Sequence, residues 1–446
     1  MTAFSARRLP VNQGPAAWAE ILGPGRRYPQ LAEDLTADIV VIGAGFAGLS
    51  AARRILQVEP KARVIIIEAS EVAEGAAGRN SGFMIDLPHE LTSADYAGGD
   101  HDKIQIAMNR HAIAFAREAV AEWDIDPNFF DPAGKINGAA SAAADRANQG
   151  YARHLDALGE HHETLDAQQM TEVSGSRHYT SGLYTPGTVM LQPAGYIRGL
   201  AAGLAGADAT IFERSAVTGF ERVGSDWKVQ ALRGTVTAPK VILANNGHLE
   251  SFGVARGRLM HVFLFASMTE GLDSAARSEL GGQDRWGITP SDPLGTTVRR
   301  IDTGQGGHRI IIRTRARLRS NMTVTRRDVA RAAQIHRQKF DDRFPQLAGI
   351  TMEHSWAGHL CLSRNGVSVT KELETGLFSA CVQNGLGTAR GTLTGIAAAE
   401  LALGEASEIT THFSSEGRPS KLPPSPLREI GANTYLRWKE RKAASE

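Results

Sequence analysis

The stretch Ala37–Ala69, ADIVVIGAGFAGLSAARRILQVEPKARVIIIEA, decides the fold. DIVVI is apolar on both faces, as a strand buried inside a parallel sheet must be. The helical pattern FAGLSAARRILQ follows a glycine turn, Pro60 ends it, and ARVIIIEA is a second buried strand. Strand, turn, helix, strand is a βαβ unit and predicts parallel pairing. Gly43, Gly45 and Gly48 stand in G-x-G-x-x-G spacing, with Ala44 and Ala47 between them. The first glycine permits the tight turn, the second lets backbone approach a pyrophosphate, and the third lets helix and strand pack closely. The helix N-terminus then offers free N–H groups to phosphate. Glu68 ends the second strand, before Ala69, where a carboxylate can accept hydrogen bonds from both hydroxyls of an adenosine ribose. An acid there disfavours a 2′-phosphate, hence NADP. A glycine-rich turn without a ligand is the plainer alternative; the strand before, the helix after and the acid beyond argue against it. NAD and FAD both remain open at this point.

Composition narrows the classes. The chain has 446 residues, 42% hydrophobic and 22% charged, with formal net charge +1. No global field favours nucleic acid. Cys361 and Cys381 are the two cysteines, too few for a disulfide framework or a structural zinc site. The adjacent His161 and His162 read as a solvated helix, because neighbouring side chains diverge and rarely chelate together; no metal is expected. The first residues show no apolar signal segment and no run is long enough to span a membrane, so the expectation is a soluble cytoplasmic protein.

Beyond Glu68 the parallel pattern stops. EGAAGRNSGF, Glu74–Phe83, is a loop of small residues, as if something large lay against its backbone. FFDPAGKINGAAS, Phe129–Ser141, reads as a strand pair turning at Pro132–Gly134, and residues 258–318 read as antiparallel sheet. NGLGTARG, Asn384–Gly391, is a second glycine turn before a helix. A flavin needs such a second helix end, because its N1–C2=O edge gains negative charge on reduction. The expected fold is α/β with α+β: a Rossmann-like FAD-binding domain (36–128, 191–254 and 346–405) interleaved with a mixed or antiparallel-sheet substrate domain (129–190 and 255–345). Residues 1–35 form an extension, and 406–446 a tail.

On these marks, together with VILANNG at Val241–Gly247, the sequence resembles the FAD-dependent amine and amino-acid oxidoreductases of the D-amino-acid oxidase superfamily, in the glycine oxidase, sarcosine oxidase and γ-glutamylputrescine oxidase-like branch. The resemblance implies oxidation of a C–N bond by hydride transfer to flavin N5, giving an imine that water hydrolyses. It implies that Gly78, Arg79, Asn80 and Ser81 lie along the pyrophosphate and flavin, that Arg79 offsets phosphate charge, and that Val217 contacts adenine through its backbone. It also places Gly247 at the cofactor, and sets Gly385, Leu386, Gly387 and Thr388 at the flavin pyrimidine and ribityl chain. The implied partners are an amine or amino-acid substrate and an electron acceptor, O2 or another. A lysine that sarcosine oxidases use for oxygen activation falls at about Ile312, and Arg313 stands where relatives carry glycine. Other readings stay open: an FAD-dependent 2-hydroxy-acid or alcohol dehydrogenase, or a flavin-binding subunit of a heteromeric dehydrogenase.

Arg299, Arg300, Arg313, Arg315 and Arg317 are dense for strands. Each reads either as part of a solvated face or as a bidentate holder of a substrate carboxylate. Arg313 is the choice for that role. Of His261 and His359, His359 is the choice for tuning the substrate amine, a structural hydrogen-bonding role being the alternative. Cys361 falls where sarcosine oxidases attach flavin covalently, or is a small buried residue.

Overall fold

The computed structural model describes residues 3–88, 99–292, 294–444 and 446. Two sheets organise it. Numbered along the chain, their strands are β1 Ile39–Ile42, β2 Val64–Ile67, β3 Lys135–Ala139, β4 Glu163–Asp166, β5 Ser181–Thr185, β6 Thr210–Phe212, β7 Lys240–Leu243, β8 Leu259–Thr269, β9 Trp286–Pro290, β10 Thr297–Ile301, β11 Arg309–Leu318, β12 Met352–Ser363, β13 Val369–Glu374 and β14 Leu377–Cys381. The helices that matter here are α1 Phe46–Val58, α2 Arg326–Arg343, α3 Ala389–Leu403 and α4 Leu427–Lys442.

The first sheet runs β6-β2-β1-β7-β14-β13, parallel except for the antiparallel edge strand β13. All residues of β1 and β2 are buried, as their unbroken apolar runs predict. α1 and α3 pack side by side over this sheet. The approach is possible because position 395 is glycine: a Cβ there would stand 2.2 Å from the Ala47 carbonyl oxygen. The two chemically similar halves of this layer thus come from opposite ends of the chain.

The second sheet runs β12-β8-β11-β10-β9-β3-β5-β4. It is antiparallel except at the β9–β3 joint. α2 covers β8, β11 and β12, and α4 lies beside β11. β12 belongs to this sheet although its numbers fall within the 346–405 segment expected on the cofactor side.

Three further expectations change. Phe130–Asp131 and Lys135–Ala139 are strands but not a pair: the first joins Val189–Leu191 in a small three-stranded sheet, the second joins β5 and β9. The backbone turns at Gly134, φ +74°, where a Cβ would meet the Thr185 carbonyl oxygen at 2.6 Å, so the chain leaves one sheet and enters the other. His161 and His162 lie in the turn between a helix and β4, not in a helix. The N-terminal segment is no appendage: Trp18 is fully buried and Tyr28 nearly so.

Candidate functional site

A single long cleft is lined by both sheets, from Gly43 and Glu68 at one end to Thr289, Thr297 and Arg313 at the other. At its first end β1 delivers the chain to Gly43, whose φ of +113° a side chain would strain, and whose Cβ would stand 2.7 Å from the Ala244 carbonyl oxygen. Gly45 is the residue before α1; no side chain caps that helix, so its first N–H groups stay free. A Cβ on Gly45 would meet nothing closer than Ala77 Cβ at 3.5 Å. Glu68 Oε2 accepts from the Ala44 N–H at 2.9 Å and Oε1 from the Ser70 N–H at 3.0 Å. Burial pushes its carboxyl up, and these backbone hydrogen bonds pull against that shift. Ala44, Ala47, Ala69 and Val217 line the same end.

The second helix terminus arrives beside the first. Gly385, φ +90°, and Gly387 have nothing within 4 Å of where a Cβ would sit, and with Leu386 and Thr388 they line the cleft. Thr388 ends the turn, and its hydroxyl donates to the Phe83 carbonyl oxygen at 2.8 Å. Two uncapped helix N-termini, α1 and α3, therefore open on one slot. A dinucleotide with anionic phosphates and an electron-accepting ring fits both ends of that slot.

The small-residue loop is the wall between them, but Arg79 does something other than expected. Its guanidinium donates to the carbonyl oxygens of Glu74 (2.6 Å), Gln13 (3.1 Å) and Gly14 (3.0 Å), and pairs with the Glu74 carboxylate at 3.3 Å. With its donors used, it is a clamp on the loop and not a free phosphate counter-charge. Asn80 braces the same turn through Ala77 and Gly82, and Trp18 Nε1 donates to its carbonyl oxygen at 2.9 Å. Ser81 lines the cleft, as do Pro10, Val11 and Asn12 of the N-terminal segment, which sequence reasoning missed. Gly48 and Gly78 lie behind the lining as packing glycines: a Cβ on either would come within 1.8 Å of a backbone oxygen.

The far end is a face of the second sheet. Ala266, Arg313, Thr297 and Thr289 stand on adjacent strands and all line the cleft; register pairs Ala266 with Arg313 and Arg313 with Thr297. Among the dense arginines the structure separates one from four. Arg299 and Arg300 are buried, not solvated: Arg299 donates to the carbonyl oxygens of Ser81 and Leu191, and Arg300 pairs with Asp284. Arg315 pairs with Glu440 and Arg317 with Asp328. Arg313 has no ion-pair or hydrogen-bond partner among the described residues, and burial pushes its guanidinium down to about 10. Ile312 points the other way, into a core with Ile288, Val298 and Ile310, as alternation along a strand requires.

His359 also lines the cleft, stacked on Phe263 at 4.9 Å between ring centroids. Burial holds its imidazole well below the usual histidine value, and the nearby His261 and His248 add to that. Its Nε2 lies 3.1 Å from His261 Nδ1, and His261 Nε2 lies 2.6 Å from Glu250 Oε2. Gly247 does not line the cleft. It makes room for this pair: a Cβ there would stand 2.8 Å from His359 Cε1 and 3.0 Å from His261 Nδ1. Cys361 is buried in the core beneath, away from the cleft lining, and burial pushes its thiol well up. Among the described residues no group of three or more His, Cys, Asp or Glu side chains is arranged for a metal, and no helix is long and apolar enough to cross a membrane.

Known proteins resemble this chain. The family described as "FAD dependent oxidoreductase" matches residues 38–401. A probable oxidoreductase OrdL of Rhizobium meliloti is 25% identical over 414 residues, 90% of this chain and 91% of its own. The gamma-glutamylputrescine oxidoreductase of Escherichia coli is 24% identical over 391 residues, 85% of this chain and 86% of its own. Among solved structures, glycine oxidase from Geobacillus kaustophilus superposes with a TM-score of 0.69 at 18% identity, covering 87% of this chain and 100% of that one. An L-amino acid deaminase from Proteus myxofaciens gives 0.69 at 14% identity, with 90% and 97% covered.

Proposed function

Because the chain belongs to the family of FAD-dependent oxidoreductases, we propose that it oxidises the C–N bond of a primary or secondary amine that carries a carboxylate: an amino acid, an N-alkyl amino acid or a γ-glutamyl amine. FAD is the cofactor, and when bound it supplies the acceptor for hydride from the substrate carbon. The imine that results is hydrolysed by water. The observation that carries the substrate reading is Arg313. An unpaired guanidinium recessed in a cleft is costly, and its position is explained when a ligand carboxylate completes it.

The residues of the chain divide the remaining work. The N-termini of α1 and α3, with Gly45, Gly385 and Gly387, would hold the phosphates and the electron-accepting ring, and Glu68 the ribose. Arg79, Asn80 and Trp18 keep the loop between them in shape before any ligand arrives. Arg313 would orient the carboxylate, with Thr297 opposite it on the neighbouring strand. His359 would favour the neutral amine, the form able to give up hydride.

Anaerobic titration of the purified flavoprotein with a panel of amines, amino acids and 2-hydroxy acids tests the reading. Bleaching by carboxylated amines, and not by hydroxy acids, is expected; the reverse selectivity overturns it. Readmission of O2 then shows whether oxygen is the electron acceptor.

A further inference from the structure

Glu250 and His261 belong to no part of the cleft lining, yet they stand in line behind its imidazole. β8 and β12 pair so that Phe263 faces His359 and His261 faces Cys361. His261 and His359 are therefore diagonal neighbours on one face of an antiparallel pair, within reach of each other. The rings sit 5.2 Å apart, and the nitrogen-to-nitrogen contact of 3.1 Å continues to the carboxylate at 2.6 Å. Glu250 comes from the turn after β7 and also accepts from the Gly257 N–H at 2.8 Å. Burial lifts its carboxyl, but the hydrogen bonds from His261 and Gly257 outweigh burial and hold it below its usual range. An ionised carboxylate can only accept. His261 must then carry its proton on Nε2, and a neutral His261 presents the lone pair of Nδ1. His359 must in turn donate through Nε2. The one hydrogen bond of its ring among the described residues is this one, through Nε2.

We infer that Glu250 and His261 are positioning residues that fix His359 with its proton on Nε2, leaving Nδ1 as the proton acceptor of the cleft. This deepens the amine reading and rests on it. A substrate ammonium must lose one proton before its carbon can give up hydride. In that step the N–H bond of the ammonium breaks with its electron pair left on nitrogen, and a new N–H bond forms at His359 Nδ1; no electrons are exchanged. Burial opposes the imidazolium so formed; its Nε2–H donates to His261, and the Glu250 carboxylate at the far end of the line lowers that cost, as a carboxylate orients and supports a catalytic histidine elsewhere. The groups facing this line are few: His248 sits edge-on to His359 at 5.6 Å, Phe263 covers its face, and Arg428 acts on Glu250. Glycine at position 247 leaves the space the two rings occupy, since a Cβ there would crowd both.

The decisive measurement is the tautomer of His359 in the holoenzyme with 15N-labelled histidine, at pH 8 and without substrate. Its signals are assigned by their loss in His359→Gln. A pyrrole-type Nε2 and a pyridine-type Nδ1 are expected, and a proton on Nδ1 overturns the inference. The second arm is Glu250→Gln, which keeps shape but removes the charge. Its kcat on an amine substrate is expected to fall about tenfold near pH 7 with KM little changed, the loss of one charge-assisted bond's advantage. The deficit should shrink at higher pH, where the amine arrives neutral. A Glu250→Gln enzyme with unaltered kcat and pH profile also overturns it. Failure of amines to bleach the flavin would remove the amine reading while leaving the tautomer result standing, so the two failures are distinct.

Discussion

Replacing Arg313 by methionine should make the protein more stable and less able to hold its substrate. The guanidinium lies in the cleft wall with no partner among the described residues, and burial has brought its pKa to about 10. Relative to an ordinary arginine that displacement corresponds to about 3 kcal/mol of unfavourable burial, present at any pH below about 10, where the group is charged in both folded and unfolded chains. Water reaching the cleft reduces the figure to about 1–2 kcal/mol. Methionine has similar length, leaves no large void and carries no charge. A rise in Tm of about 1–2 °C in the absence of ligand is expected, because the unfolding entropy grows with chain length. Binding moves oppositely. A guanidinium–carboxylate pair contributes about 1.5–3 kcal/mol, so KM for a carboxylated amine should rise about 10- to 100-fold, and KM for a neutral amine should hardly move. Thermal unfolding with and without a substrate carboxylate, beside steady-state kinetics on a matched pair of amines, reads both signs. A destabilised variant with an equal KM change on both amines would refute the reasoning, because it would mean that Arg313 is a structural partner and not a waiting one.

Other outcomes follow from the same geometry. Gly45→Val fills the one open face of the first glycine turn, so the purified protein should lose most of its 450 nm-type flavin absorbance while its far-ultraviolet circular dichroism is kept. Cys361 lies away from the cleft with its thiol held protonated, so denaturation should release all FAD and the intact polypeptide mass should carry no flavin. Lys135 is buried, and burial brings its ammonium down to about 8. Below that pH its charge is a burden on the fold that is relieved as pH rises from 8 towards 10.5, so Lys135→Met should exceed the unaltered protein in unfolding free energy by most below pH 8, with the gap closing above it.

The glycine-turn end of the cleft was legible because its determinants are local. Gly43, Gly45 and Glu68 sit within one strand–turn–helix–strand, and the same pattern recurs at Gly385–Thr388, so spacing alone carries them. Arg313 was legible as a candidate but not separable from its four neighbours, since the ion pairs that occupy Arg315 and Arg317 depend on how α4 and α2 pack against β11, which no strand pattern records. Glu250 and His261 were not found as a unit. Their link to His359 depends on the register of β8 against β12, across nearly a hundred residues, and a register is written in pairing and not in either strand. The signal available was only the alternation of His261 with Phe263 and of His359 with Cys361. The clamp made by Arg79, which also lines the cleft, was hidden for a related reason: the carbonyl oxygens that accept its N–H groups come from Gln13 and Gly14, in a segment whose irregular sequence gives no hint of where it lies. The strand pair at Phe129–Ser141 failed because a glycine turn can end one sheet and start another as readily as it closes a hairpin.

The meeting of α1 and α3 has a consequence for biosynthesis. The glycine that lets them touch, Gly395, is translated long after Ala47, whose carbonyl it must clear. While the ribosome is still making the middle of the chain, the first glycine turn exists without its neighbour, and β1 lacks β14 on the far side of β7. The slot has one wall until nearly all of the polypeptide has emerged. On the proposed reading, a chain stalled or cleaved before residue 389 would carry the βαβ unit without the second helix end, and should hold no flavin.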